Sequence, residues 1–316
     1  MPFWLQRIVH NLTLGVDLFF VISGFLIVYL LVNEKKLTNT IGLGRFYIRR
    51  TLRIFPLYFV IVALAFFLYR HEEINYFSFL TFTGNFWLIT KGDWTVGILN
   101  PLWSLCIEEH FYLVIPLLIA VLPHRLLPYL FGFIIIGSIG FRWYAFHHIQ
   151  WPWMTLYCHT LSRCDFLAIG GLIAYRHHYK PFSFRWPKFF LWASIALLLC
   201  VLMLMDNSDF TTLWKALFKK YIFIAPLLIL FFYMVFTDLS YTEPKIFRYL
   251  GSTSYGLYMY HTPIIELISR NAIINDSAVL KLMTVIILTV VTAGLSFYYF
   301  ERPLLKMKEG FEVIKT

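Results

Sequence analysis

The sequence predicts an all-α fold, a polytopic bundle of transmembrane helices, and three observations carry that expectation. The 316 residues are 59% hydrophobic and only 14% charged, whereas a soluble domain is nearer to roughly 45–50% apolar with about a quarter of its residues charged. Apolar runs of about 20 residues recur from end to end, the length that a ~30 Å hydrocarbon core requires at ~1.5 Å rise per residue. Aromatic side chains make up 20% of the chain, which suits many positions at a membrane–water interface. Strands are not expected, because barrel spans would show alternating segments of about ten residues.

The runs place nine spans at roughly 14–33, 52–70, 104–122, 126–146, 157–175, 188–205, 217–237, 250–269 and 279–300. A shorter aromatic tract, 76–90 (YFSFLTFTGNFWLIT), is too polar to cross alone and reads as a re-entrant or interfacial segment. No internal repeat, Gly/Ser linker or low-complexity tract divides the chain, so 1–316 reads as a single membrane domain.

The formal charge is +10. Its basic residues sit in short loops between apolar runs rather than in a soluble basic domain, which argues against nucleic acid and for the positive-inside bias of cytoplasmic loops. A site for a phosphate-bearing donor is compatible with the same charge. With the 34–53 loop in the cytoplasm, 17 of the 27 Lys and Arg fall on that side and the C-terminus lies inside. An odd number of spans then puts Met1 outside without a signal peptide, so a further N-terminal segment is expected. Cys106, Cys158, Cys164 and Cys200 show no CxxC or metal spacing and read as small core residues. His147-His148 and His177-His178 read as interfacial. No metal site is expected.

Charges inside spans cost several kcal/mol unless they face protein or a water-filled cavity, which makes them functional candidates. Asp17, in GVDLFF, begins a helix where the macrodipole favours an acid. Arg50 and Arg53, in RRTLRIFPLY, lie three apart on one helical face, suited to bidentate phosphate contacts. Glu108 and Glu109, in WSLCIEEHFY, are adjacent; Glu108 shares a face with Tyr112 while Glu109 turns about 100° away. A sheltered carboxylate can serve as a general base or orient a His. Arg163 and Asp165 are two apart, so each should seek a partner on another helix, and Gly170-Gly171 would permit close helix packing. Ser254, Tyr258 and His261 form an i, i+4, i+7 stripe that makes one face polar, and a His so placed is a candidate for binding or proton transfer. The Ser is in no nucleophile elbow, so no hydrolase triad is expected.

Together these runs resemble the bacterial membrane acyltransferase family 3. The likeness rests on GVDLFFVISGFL, RRTLRIFPLY, WSLCIEEHFYL with its W-x-L-x-x-E core, RCDFLAIGGLIA, SYGLYMYHTP and the closing Glu301-Arg302-Pro303, in one order over nearly the whole chain. The resemblance implies transfer of an acyl group, commonly acetyl, to sugars of surface polysaccharides. It implies acyl-coenzyme A as a cytoplasmic co-substrate, no bound cofactor, a glycan acceptor, and residence in the bacterial inner membrane. Family members open with a helix bearing an Arg and, eleven residues later, a His. Arg7 and His10 are three apart, so neither takes those roles, and the helix that would carry them is expected to precede this sequence.

A secondary transporter is the main alternative, but it predicts paired inverted repeats, and no internal symmetry is visible. A purely structural membrane protein would not explain two sheltered carboxylates and a Ser–Tyr–His stripe. The sequence therefore assigns catalysis or its electrostatic support to His261, Glu108, Asp17 and Asp165. It assigns binding to Arg50, Arg53, Arg163, Trp103 and Tyr258.

Overall fold

The computed structural model of the chain describes residues 11, 13–69, 73–94, 97–149, 152–179, 188–204, 211–237, 244–269 and 278–309. Its helices, in chain order, are α1 (Leu14–Thr38), α2 (Leu43–Leu68), α3 (Tyr76–Leu80), α4 (Gly84–Lys91), α5 (Leu102–Val121), α6 (Leu127–His148) and α7 (Pro152–Cys158). There follow α8 (Thr160–Tyr179), α9 (Lys188–Leu204), α10 (Lys220–Phe236), α11 (Lys245–Ser269), α12 (Ala278–Ser296) and α13 (Arg302–Glu309). No strand occurs among the described residues.

A long helix occupies each of the nine predicted positions. By length and apolar composition, 6 spans qualify among the described residues: Leu14–Thr38, Leu43–Leu68, Leu102–Val121, His124–His148, Lys215–Phe236 and Val279–Met307. The protein is a multi-pass membrane protein. The three other long helices fall short for visible reasons. Helix α8 carries Arg163, Asp165 and Arg176, α11 mixes polar residues throughout, and α9 has 17 residues.

One predicted boundary moves. Helix α2 begins at Leu43 rather than near 52, so most of the expected 34–53 loop is helix. Arginine is a good helix former, and Phe46 supplies a buried anchor, 2% exposed, one turn into the basic stretch. The real turn is short and follows Asn39, whose left-handed backbone (φ 59°) ends α1.

The chain forms two compact units, Met1–Ile41 with Ser104–Ser240, and Gly42–Trp103 with Tyr241–Thr316. In the first, α1 and α8 pack backbone to backbone. A Cβ on Gly24 would land on the Leu167 carbonyl, and one on Gly170 would land on the Val21 carbonyl. Gly171 leaves room for the Phe131 ring of α6. Small residues let membrane helices approach this closely, as the Gly170-Gly171 pair predicts. The ammonium of Lys35, at the end of α1, donates to the carbonyls of Ile119 (2.6 Å), Ala120 (3.0 Å) and Leu122 (2.8 Å). It therefore caps α5, where carbonyls lack helical partners.

In the second unit the 76–90 tract is two short helices broken at Phe82, which has φ 56°. The Tyr58 hydroxyl donates to the Phe79 carbonyl at 2.8 Å, and its ring stacks on Phe82 at 4.3 Å. The tract thus packs on α2. Tyr255 of α11 donates to the Ile54 carbonyl of α2 at 2.7 Å, and Tyr69 donates to the Glu266 carboxylate.

Gly170→Leu should lower the stability of the detergent-solubilised protein by about 1–3 kcal/mol or more, the cost of overpacking. Gly137→Leu, where a Cβ meets nothing within 4 Å, should leave it nearly unchanged. Thermal unfolding of the two variants checks the difference.

Candidate functional site

In the first unit, Asp17 sits fully buried in the first turn of α1 and accepts a hydrogen bond from the Arg163 guanidinium. The Lys220 ammonium lies 3.6 Å from its other oxygen. Two residues along α8, about 200° round the helix, Asp165 points elsewhere. Its Oδ2 accepts from Arg142 Nη1 at 2.8 Å and from the Tyr221 hydroxyl at 2.6 Å. Arg142 also donates to the Tyr221 oxygen at 2.6 Å and to the Ser162 carbonyl at 2.8 Å. The two-apart spacing thus sends Arg163 to α1 and Asp165 to α6 and α10, as the sequence predicts.

Aromatic faces complete the setting. The Arg163 guanidinium lies 5.2 Å from the Phe166 ring and 5.6 Å from that of Tyr157, and Arg142 lies 5.1 Å from the Tyr221 ring. All five charged groups are at most 5% exposed. Such groups are tolerated only when each finds a partner, because desolvation costs several kcal/mol per ion.

On α5, Tyr112 donates to Glu108 Oε2 at 2.8 Å, the i, i+4 relation predicted. The Ser23 hydroxyl of α1 meets the same Tyr112 oxygen. Glu108 is 2% exposed and Glu109 half-buried. His110 shares a 2.8 Å hydrogen bond with the Thr160 hydroxyl at the start of α8.

In the second unit, His261 Nδ1 lies 2.5 Å from the Tyr258 carbonyl. A carbonyl only accepts, so in the neutral ring the proton is assigned to Nδ1, which leaves Nε2 as the acceptor. The Tyr258 hydroxyl donates to the Pro101 carbonyl at 2.6 Å, which holds the approach to Trp103, itself 4% exposed. The expected three-residue stripe is cut to two. Ser254 is exposed and donates to the Gly251 carbonyl of its own helix at 2.8 Å, a local bond that satisfies a serine without a distant partner.

A cavity of about 440 Å³ in the first unit has a wholly non-ionic lining. The chemically richer one, about 290 Å³, lies in the second unit and is lined by Arg53, Ser252, Tyr255, Phe297 and Glu301 with Gly251 and Leu305. Of the two arginines expected to act together, Arg53 faces this cavity, whereas Arg50 lies 5.8 Å from the Phe46 ring. Arg7, His10, Lys180 and Arg185 lie outside the described residues.

Over residues 2–301 the chain matches the Acyltransferase domain family. The chain belongs to that family. It is 29% identical to the O-acetyltransferase OatA of Staphylococcus aureus strain NCTC 8325 / PS 47 over 335 residues, covering 95% of this chain and 53% of that protein. It is 28% identical over 331 residues to a further protein of S. aureus strain COL, provisionally named an O-acetyltransferase, covering 95% and 54%. The chain spans about half the length of these relatives. No solved structure matches it.

Within this acyltransferase domain, sequence reasoning missed Arg142, Lys220, Tyr221 and Ser23. A signal existed for two of them. Arg142 interrupts the apolar run 126–146, and Lys220 lies in the run 217–237, so the rule that singled out Asp17 applies equally. Nothing in the spacing marked Ser23 or Tyr221.

Asp17→Asn and Arg163→Met should each cost about 3–5 kcal/mol, because each removes one partner from a buried cluster of charges. The double variant should recover a substantial part of the summed loss. Denaturant titration of the four proteins in a double-mutant cycle reads this coupling directly.

Proposed function

We propose that the chain is a membrane O-acyltransferase that moves an acyl group, acetyl first among candidates, from acyl-coenzyme A to a sugar hydroxyl of a surface glycan. The observation that carries the reading is the family match across residues 2–301, joined to relatives named O-acetyltransferases. The match runs through both compact units, which supports one acyltransferase domain over 1–316. We place it in a bacterial inner membrane with nine spans and a cytoplasmic C-terminus, the orientation favoured by the basic ends of α1, α2 and α13.

The reaction forms a C–O bond between the acceptor oxygen and the acyl carbon and breaks the thioester C–S bond. The acceptor proton must leave as the oxygen attacks, and the coenzyme departs as its thiol. His261 suits the base, since its Nδ1 is held by a backbone carbonyl and Nε2 is the acceptor. Glu108, held by Tyr112, is assigned an electrostatic supporting role within the first unit. Asp17 and Asp165 act through the arginines they hold, with Arg163 kept in place rather than presented to phosphate. Arg53, with Arg50 one turn away, binds the donor's phosphates. Trp103 and Tyr258 border the acceptor.

The test uses the full chain in lipid vesicles with acetyl-labelled acetyl-coenzyme A and a polysaccharide acceptor. Base-labile label should appear on the glycan, and His261→Ala should reduce the rate by roughly 10²–10⁴-fold, the contribution of a general base. Absence of transfer by the wild type would contradict the activity. Normal transfer by the His261 variant would contradict only the base assignment.

A further inference from the structure

Glu301 belongs to the run that closes the family resemblance, and the mechanism above leaves it unused. It is a carboxylate 7% exposed near the end of an apolar helical span, a location that demands a partner or a purpose. The backbone there departs from the α-helix. Phe297–Glu301 is a π-helical turn, a form that is rare and frequent at functional sites. Both ends of that turn, Phe297 and Glu301, line the 290 Å³ cavity with Arg53.

The surroundings hold the carboxylate in place. The Ser296 hydroxyl donates to Glu301 Oε1 at 3.1 Å, and the Tyr260 hydroxyl donates to Ser296 at 3.0 Å. Gly256 of α11 makes the space, since a Cβ there would lie 3.1 Å from Oε1. Arg53 attracts Glu301 electrostatically, yet among the described residues no ion pair within 4 Å joins them. A carboxylate offers about four acceptor sites, and Ser296 engages one. One cavity thus presents a guanidinium and a carboxylate that are not joined in a direct ion pair. The matching guest is anionic at one point and donates N–H or O–H at another.

We infer that Glu301 is a donor-recognition residue that accepts a hydrogen bond from an N–H or O–H of the acyl-coenzyme A while Arg53 holds a phosphate. This rests on the donor assignment above. Coenzyme A fits, having phosphates together with amide N–H, ribose hydroxyl and adenine amino groups. Two minor features agree. Ser252 and Tyr255 add polar atoms to the wall, and Phe297 adds an aromatic face.

The experiment measures coenzyme A binding to the full chain in nanodiscs, with pantetheine and glycerophosphoglycerol, a lipid headgroup, as comparison ligands. Coenzyme A should bind more tightly than either. Glu301→Gln, which keeps the Ser296 contact, should weaken it by roughly tenfold, as when one charge-assisted hydrogen bond becomes neutral. The thermal midpoint should stay unchanged, and the effect should be less than additive with Arg53→Ala. Unaltered coenzyme A affinity in Glu301→Gln overturns the inference and leaves the donor assignment standing. No coenzyme A binding by the wild type, or equal competition by the headgroup, overturns both. If the variant does not fold, carbodiimide labelling of wild-type Glu301 reads the same contact. Coenzyme A should protect it, and unprotected Glu301 would refute the contact.

Discussion

The Arg163–Asp17 contact is the interaction on which the first unit depends. Each group is at most 2% exposed, so neither can borrow water, and each stabilises the other, with Lys220 beside Asp17 as a second cation. Bringing an α8 guanidinium to an α1 carboxylate requires the helix backbones to approach closely. Gly24 and Gly170 allow this, each leaving space that a Cβ would fill. Lys220 of α10 and the adjoining Asp165–Arg142–Tyr221 set extend the same logic to α6 and α10. Four helices are thereby tied by charge where a soluble protein would rely on the hydrophobic effect, which gives no preference for helix over lipid.

The same constraint separates the ionisable residues into two kinds. Asp17, Arg163, Lys220, Asp165 and Arg142 of the first unit engage one another in short contacts, as a scaffold would. In the second unit Arg53 and Glu301 border a cavity without pairing, and His261 is oriented by a backbone carbonyl with an acceptor nitrogen left for chemistry. Where charge is not spent on structure inside a membrane protein, it is available to a substrate. On this account Asp17 and Asp165 contribute to catalysis through rigidity, while Arg53, Glu301 and His261 meet the reacting molecules.

Much of the fold was legible because hydropathy is a property of composition over some twenty residues, and each predicted apolar run holds a helix. The divergence of Arg163 and Asp165 was legible too, since it follows from helical period alone. Helix ends were less so: the start of α2 was set by Phe46 burying itself inside a basic stretch, a packing event that charge counting does not see. Ser254 misled for the opposite reason, because periodicity registers a face but not a hydroxyl satisfied by its own helix. Tyr221 and Ser23 escaped because a hydroxyl in an apolar run carries no signal until the facing helix is known. Glu301 was visible as a motif, but its role needed the π-turn and the cavity.

The claim that unspent charge marks the donor site is tested most directly by hydroxyl-radical footprinting of the reconstituted chain with and without acetyl-coenzyme A. The account predicts that the donor protects the cavity residues Tyr255, Phe297 and Leu305 from oxidation while Tyr129 and Phe133, exposed on α6, stay equally reactive. Binding of the donor with no protection at those three residues would contradict it.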